Sequence, residues 1–246
     1  MLTRDDMLRY DRQIRLPEIG EEGQKRLSRQ SILIVGLGGL GSISAYYLAA
    51  AGVGHLKIVD RDRVTPDNLN RQIIHCTDDV ERPKVDSARE KLQRLNPACH
   101  IEPVRVDFSE INGSDLAAGS DLILDATDNL ATRHVLNRVS QEKNIPYIFG
   151  GVDGWDGNAA TFIPGETACL ACLFPRDRVQ DRGEPASAVG PTVGVIASAQ
   201  SLEALLILLG LGPRLAGRML DFRGLKMTFR TIEFTRNPDC DLCRNR

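Results

Sequence analysis

Apolar and polar segments alternate along the first 150 residues in a pattern that predicts strands separated by helices. Apolar runs predict five strands, at 31–35, 56–60, 100–106, 122–125 and 146–149. Alanine-rich or amphipathic segments predict helices at 40–51, 83–95 and 130–143. Strands that alternate with helices are typical of a mainly parallel sheet covered on both faces. The pattern therefore predicts an α/β, Rossmann-like doubly wound fold.

The remaining residues show a different pattern. An extended segment predicts a strand at 157–164, and a long apolar segment predicts a buried helix at 193–209. Two further segments, 219–222 and 225–234, predict a closing antiparallel hairpin, and the stretch 176–187 is rich in charge, Gly and Pro and predicts a mobile loop. The parallel sheet is therefore expected to continue into C-terminal antiparallel strands.

The same pattern predicts one domain over residues 1–246. A charged helical arm occupies 1–30 and is interrupted at Pro17 and Gly20. Residues 31–151 form the expected nucleotide-binding half, and residues 152–246 form the second half. The length is sufficient for one large domain with its own core.

Composition excludes several classes of function. Of the 246 residues, 42% are hydrophobic and 26% charged, and the formal net charge is −2. No basic block is present, so nucleic acid is not an expected partner. No uninterrupted apolar run reaches the roughly 20 residues that span a bilayer, and the acidic first residues are unlike a signal peptide. We expect a cytoplasmic protein without a membrane partner.

A glycine-rich turn follows the first strand. Gly36, Gly38 and Gly41 have the spacing of a nucleotide-binding turn, and Gly39 lies among them. Asp60 ends the second strand, at about the distance expected of an acid that binds ribose hydroxyls. Glycine allows close approach of backbone to phosphate, and a helix N-terminus offers free N–H groups. Two alternatives remain for the turn, namely an NAD site and a packing turn without a ligand.

Polar residues after the second strand favour a triphosphate over NAD. They are Asp67, Asn68, Arg71, Gln72 and Lys84. This segment lies at the carboxyl edge of the sheet, where open α/β folds bind ligands. Arg71 would grip phosphate with two donors and Lys84 would supply a point charge.

A second polar group follows the fourth strand and faces the same edge. Asp128 has the oxygen ligands that Mg²⁺ prefers, and Asn129 is its neighbour. The alternative is that Thr127 or Asp128 caps the following helix.

Two Cys-x-x-Cys pairs predict a metal site. Cys169, Cys172, Cys240 and Cys243 supply four thiolates, which suit tetrahedral zinc in a closed, structural site. The alternative is a pair of redox motifs. It is disfavoured because Cys243 lies near the C-terminus and neither pair is expected to open a helix after a strand.

The other cysteines and the histidines are assigned to packing or to the surface. Buried thiols are common, so Cys76 and Cys99 are expected to be packing residues. The histidines fall on none of the motifs described above and are His55, His75, His100 and His134.

With these motifs in place, the chain resembles the E1-like adenylyltransferases of the ThiF, MoeB and HesA group. The resemblance covers roughly residues 8–243. The matching residues are Arg9-Tyr10-Asp11-Arg12-Gln13-Ile14, the turn 36–41, Asp60, the segment 68–72, Pro83-Lys84, Thr127-Asp128-Asn129 and both Cys-x-x-Cys pairs.

The resemblance implies a reaction and its partners. Such enzymes use ATP and Mg²⁺ to adenylate the C-terminal glycine of a small ubiquitin-like sulfur carrier of the ThiS or MoaD type, and pyrophosphate leaves. Family members are homodimers in which the arginine matching Arg12 reaches the ATP of the neighbouring subunit. A sulfur donor protein is a further expected partner, and residues 152–246 would bind the carrier.

The resemblance also assigns roles to individual residues. By its implication Asp60 binds ribose, Asn68, Arg71 and Lys84 contact the phosphates, and Asp128 serves the metal. Because a carboxylate is already ionised at neutral pH, its attack on phosphorus needs alignment and charge cancellation rather than a general base.

The chain departs from some relatives in one segment. Residues 176–191 contain no cysteine, so no covalent link to the carrier is expected there. Three other functions stay open as alternatives: an NAD-dependent oxidoreductase, a zinc-containing binding module, and a tRNA-modifying dehydratase of the same superfamily. The near-neutral charge weighs against the last of these.

Overall fold

One mixed sheet forms the centre of the protein in this computed structural model, which describes residues 2–176 and 187–244. Its strands are β1 Ser31–Val35, β2 His55–Val59, β3 His100–Val104, β4 Leu122–Asp125, β5 Tyr147–Asp153, β6 Asp156–Phe162, β7 Arg218–Arg223 and β8 Thr228–Glu233. The helices of the described residues are α1 Arg4–Arg9, α2 Asp11–Ile14, α3 Gly20–Leu27, α4 Gly39–Ala51, α5 Lys84–Leu95, α6 Gly113–Leu116, α7 Leu130–Lys143, α8 Leu170–Leu173 and α9 Gly190–Leu209.

The sheet has a parallel half and an antiparallel half. Its strand order is β3-β2-β1-β4-β5-β6-β7-β8. Strands β1 to β5 pair in parallel, whereas β6, β7 and β8 continue the sheet in antiparallel fashion. The strand order reverses direction at β1 and β4, and such a switch point forms a crevice for ligands at the carboxyl edge. The predicted fold class is confirmed.

Helices cover both faces of the sheet. On one face α4 and α9 pack together over β1, β5 and β6, and their side chains form the larger apolar core. On the other face α7 packs over β4 and β5 within a second core that contains Tyr147 and Phe162. By length and composition alone α9 could cross a bilayer, but half of the qualifying window is buried inside the protein. A core helix passes the same test.

The prediction for β5 was too short. It ended the strand at Phe149, whereas the structure extends it through Gly150 and Gly151 to Asp153. These residues pair with β6 along the whole strand. A Cβ at Gly150 would lie 2.4 Å from Cδ of Gln200, so a close approach to α9 requires glycine there.

The short helices α6 and α8 were not predicted, because four residues carry no periodic signal. The predicted loop at 176–187 lies almost entirely outside the described residues.

The solitary cysteines differ from each other. Cys99 is buried, as expected of a packing residue, and burial raises its pKa to about 12. Cys76 is exposed, and its thiol donates to Oδ2 of Asp79 at 3.1 Å. The packing prediction is therefore wrong for Cys76, which lies at the N-terminus of a 3-10 turn rather than in the core.

His75 makes stability depend on pH. It is buried, its Nδ1 lies 2.8 Å from Oγ of Ser87, and burial lowers its pKa to about 4 from 6.5. Between these values the unfolded chain binds more protons, so the free energy of unfolding should fall as pH drops from 6.5 towards 4. One pKa unit is worth about 1.36 kcal/mol, so the loss is roughly 3 kcal/mol. Urea titrations between pH 5 and 7 should show a shallower pH slope for His75→Asn; equal slopes would contradict the assignment.

Candidate functional site

A cavity of about 660 Å³ opens at the carboxyl edge of the parallel strands. It lies over the switch point between β1 and β4, where the fold predicts a ligand. Most of the predicted site residues line it: Gly36, Gly38, Gly39, Asp60, Arg71, Gln72, Lys84, Asp128 and Asn129. Segments that are distant in sequence thus meet around one space.

The glycine turn joins β1 to α4. Gly36 has a φ of +93°, and a Cβ there would lie 2.5 Å from the carbonyl oxygen of Ala126. Gly41 packs inside the turn, where a Cβ would lie 1.9 Å from the carbonyl oxygen of Gly36. Because Gly41 packs against the backbone of the turn, it does not line the cavity. It allows α4 to begin close to β1, and the N-terminus of α4 faces the cavity.

Asp60 fixes the turn from the end of β2. Its Oδ2 accepts the backbone N–H of Leu37 at 2.7 Å, and its Oδ1 accepts that of Asp62 at 2.8 Å. Burial raises the pKa of Asp60, and the charge of Lys84 opposes this rise. Each oxygen keeps a further lone pair, so the carboxylate can still accept hydrogen bonds from a ligand.

Of the cations that line the cavity after β2, Lys84 and Arg71 are the two that the sequence predicted. The Lys84 side chain is buried, and its Nζ lies 3.1 Å from Oδ2 of Asp62. Nη1 of Arg71 donates to the carbonyl oxygen of Asp67 at 2.8 Å and to Oδ1 of Asn70 at 3.1 Å. Both cations are held by neighbours rather than free in solvent, which lowers the entropic cost of ordering them around an anion.

Asp128 lies on the opposite side of the cavity, after β4. It is exposed, and it makes no hydrogen bond or ion pair with any residue that the structure describes. The cap of α7 is Asn129, whose Oδ1 accepts the N–H of Thr132 at 2.9 Å. The alternative that Thr127 or Asp128 caps this helix is wrong, and the Asp128 carboxylate remains available to a ligand.

A buried carboxylate, Asp125, supports the loop that carries Asp128. Its Oδ1 accepts the backbone N–H and the hydroxyl of Thr127 at 2.8 and 2.7 Å. The hydroxyl of Tyr147 donates to its Oδ2 at 2.6 Å, and Nε of Arg133 lies 3.5 Å from the same atom. Burial raises the pKa of Asp125, while Arg133 opposes the shift. The loop is therefore anchored to both β5 and α7.

Removing one donor from Asp125 should destabilise the protein. We expect Tyr147→Phe to lower the free energy of unfolding by about 1–3 kcal/mol, because a buried carboxylate loses a hydrogen bond. Chemical denaturation measures the change. Tyr46→Phe on α4 is the matched control, since its hydroxyl makes no hydrogen bond within the described segments. An equal effect of both substitutions would contradict this account.

Three other predicted residues are absent from the cavity wall. Asn68 is buried, and with Asp67 it shapes the 3-10 turn Pro66–Asn68: the Asn68 amide donates to Asp67 Oδ2 at 3.2 Å, and Asp67 Oδ1 accepts the hydroxyl of Thr65. They orient the backbone that holds Arg71. Arg12 is exposed on α2 and does not reach the cavity of its own chain.

Several cavity residues were not predicted from the sequence. They are Arg61, Asp62, Val106, Asp107, Phe108, Arg133, Phe149, Asp153, Phe174 and Ala188, among others. Asp62 and Asp107 follow the ends of β2 and β3, so strand ends alone are the signal that could have found them. None of the four histidines lines the cavity, and His75 and His134 are buried.

The four paired cysteines form a separate cluster. Their sulfur atoms all lie within 4.8 Å of one another, with Cys169 3.7 Å from Cys240 and Cys172 3.5 Å from Cys243. A tetrahedral zinc site with Zn–S bonds of about 2.3 Å places its sulfurs about 3.8 Å apart, so the cluster fits zinc. Cys169 does precede a one-turn helix, α8, which the sequence analysis did not expect. Four converging thiols still favour a closed metal site over separate redox pairs.

Known proteins are similar to this chain in sequence. The ThiF family profile matches residues 10–242. The SAMP-activating enzyme E1 of Haloferax volcanii is 40% identical over 243 residues, which cover 96% of this chain and 88% of that protein. The sulfur carrier protein adenylyltransferase of Thermus thermophilus is 39% identical over 250 residues, which cover 98% and 92%.

Solved structures agree at the level of the fold. A crystal structure of Escherichia coli MccB superimposes with a TM-score of 0.85 at 20% identity, covering 100% of this chain and 74% of that chain. At this identity the likeness concerns the fold alone. The sequence match spans almost the whole chain, and the chain belongs to the ThiF family.

Proposed function

We propose that this protein is an ATP-dependent adenylyltransferase that activates the C-terminal glycine of a small ubiquitin-like sulfur carrier as an acyl adenylate. The observation that carries the proposal is the shared cavity of Arg71, Lys84 and Asp128 beside the glycine turn. The names of the Haloferax and Thermus relatives support the same reaction class.

The reaction needs no general base. A carboxylate oxygen of the carrier attacks the α-phosphorus of ATP, the bond from that phosphorus to the bridging oxygen breaks, and pyrophosphate leaves with the electron pair. Arg71 and Lys84 would contact phosphate oxygens, and Asp60 would accept hydrogen bonds from ribose. Asp128 would hold Mg²⁺, which neutralises phosphate charge when bound.

The charges of the cavity support a requirement for Mg²⁺ and for a second subunit. Among the described residues that line it are four cationic side chains, Arg61, Arg71, Lys84 and Arg133, and five carboxylates, Asp60, Asp62, Asp107, Asp128 and Asp153. These charges do not balance a triphosphate. Mg²⁺ and an arginine from a partner would supply positive charge, and the exposed Arg12 is suited to that role in a homodimer.

Intact-mass spectrometry tests the proposed reaction. Incubation with ATP, Mg²⁺ and a carrier that ends in Gly-Gly should produce a carrier that bears AMP, and hydroxylamine should remove it. A carrier of unchanged mass, with ATP intact, would oppose the proposal. The names of the relatives do not favour the alternative of an NAD-dependent oxidoreductase, although the glycine turn and Asp60 also suit NAD. Parallel calorimetric titrations with ATP–Mg²⁺ and NAD discriminate the two functions, and tighter binding of NAD would favour the oxidoreductase.

We place the enzyme in the cytoplasm, with a sulfur donor protein as a later partner and with neither nucleic acid nor membrane as a partner. The cysteine cluster would hold structural Zn²⁺. Transfer of sulfur to the adenylate would proceed without a covalent link at residues 176–191, which contain no cysteine.

A further inference from the structure

Arg133, in the first turn of α7, is a cavity residue whose side chain is held by several contacts. Its Nη2 donates to the carbonyl oxygen of Thr127 at 2.7 Å and to that of Gly150 at 3.1 Å. Its guanidinium carbon lies 4.9 Å from the ring centroid of Phe149, in a cation–π contact. The side chain is 17% exposed and lines the cavity. The guanidinium is therefore fixed between the loop of Asp128 and strand β5.

One edge of this guanidinium remains unused. The buried Asp125 faces Nε, with Oδ2 at 3.5 Å, and the two carbonyl oxygens occupy Nη2. Nη1 makes no hydrogen bond within the parts of the chain that the structure describes. A rigid arginine with a free N–H edge is a prepared site for a carboxylate or phosphate oxygen.

The distribution of charge around Arg133 favours a carboxylate over a phosphate as its ligand. Arg61, Arg71 and Lys84 lie in the segments after β2, on the side of the glycine turn and Asp60. On the side of β4 and β5, Arg133 is the one cationic residue among the described cavity residues, and the carboxylates Asp128 and Asp153 also line the cavity there. A substrate carboxylate that enters from this side would be repelled by Asp128 unless Arg133 offsets that charge.

Strand β5 carries a glycine, Gly151, next to the guanidinium of Arg133. A Cβ at Gly151 would lie 3.0 Å from Cζ of Phe149 and 3.8 Å from Nη2 of Arg133, so a side chain at 151 would intrude beside the guanidinium. Glycine at this position keeps the backbone accessible.

We propose that Arg133 binds the terminal carboxylate of the carrier and holds it against the α-phosphorus of ATP. The role rests on the proposed function and adds a substrate-positioning residue to it. Nη1 donates to one carboxylate oxygen, and the other oxygen forms the new bond to phosphorus as pyrophosphate departs. No proton moves, because the guanidinium stays charged throughout.

The test compares a carrier that ends in a carboxylate with the same carrier ending in a carboxamide. The carrier is one that supports pyrophosphate exchange by the wild-type enzyme, and binding is measured by calorimetry with AMPCPP and Mg²⁺, so that no adenylate forms. The wild type should bind the carboxylate form about 10-fold or more tightly than the carboxamide form, as a charged hydrogen bond requires. Arg133→Met should abolish this preference.

Two further variants keep the test decisive. Removal of Arg133 leaves Asp125 buried and uncompensated, so Arg133→Met is made in an Asp125→Asn background and compared with Asp125→Asn alone. Arg138→Met, on the same helix but paired with Glu110 outside the cavity, should keep the wild-type preference. A preference retained without Arg133, or an equal loss of affinity for both carriers, would overturn the proposal and leave a structural role. Absence of exchange with every Gly-Gly carrier would instead refute the adenylyltransferase function.

Discussion

Replacing Asp128 by alanine should lower carrier-dependent exchange of pyrophosphate into ATP by about 100-fold to 1,000-fold. The carboxylate lines the cavity without a partner among the residues that the structure describes, opposite Arg71 and Lys84, and is the group best placed to hold a metal on the phosphates. Its removal should leave the fold intact, because an exposed side chain without hydrogen bonds contributes little to stability. Exchange of labelled pyrophosphate measures the first effect, and thermal unfolding measures the second.

The matched control is Asp115→Ala, an exposed acid on α6 that does not line the cavity. It should exchange at the wild-type rate. Arg71→Ala should show a loss as large as that of Asp128→Ala, with Arg94→Ala on α5 as its control. Normal exchange in the Asp128 variant would remove the metal-binding role and weaken the proposed chemistry.

Loss of the cysteine cluster should be the largest single change in stability. Cys172→Ser should reduce bound zinc from one per chain to a small fraction and lower the melting temperature by about 10–20 °C, if several kcal/mol of metal-binding free energy are lost. The cluster joins two pairs that are 71 residues apart, so the C-terminal segment is tied to α8 through it. Metal analysis and calorimetry provide the two readouts.

Cys76→Ser is the control for the cluster. This thiol is exposed and lies outside the four-cysteine site, so neither zinc content nor melting temperature should change appreciably. A Cys172→Ser variant that keeps both its zinc and its melting temperature would mean that the four sulfurs do not form a structural metal centre.

Local sequence pattern predicted the strands and helices of the parallel half because their apolar periods are strong. Helix α7 was placed at its observed bounds, and β1 and β4 likewise. The end of β5 was missed because Gly150 and Gly151 have low intrinsic strand propensity, and only pairing with β6 makes them strand residues. The end of β5 is therefore set by tertiary contacts, which the local sequence does not indicate.

The candidate site was predictable where a residue type follows a strand end, as with Asp60 and Asp128. Arg133 was missed because its position depends on a hydrogen bond to Gly150, 17 residues away, and on the anchoring of Asp125. Asn68 was predicted to contact phosphate, but in this chain it shapes the turn beneath Arg71. Sequence spacing identifies residues near an edge, whereas packing decides which of them face the ligand.

The central claim is that cations and a metal-binding acid converge on one cavity to make a carboxylate attack ATP. The most direct measurement is the exchange of labelled pyrophosphate into ATP by the wild-type protein, with each component omitted in turn. The account predicts exchange only when ATP, Mg²⁺ and a Gly-Gly-terminated carrier are all present, and none when the carrier ends in a carboxamide. Exchange that proceeds without a free carboxylate, or no exchange with all components present, would contradict it.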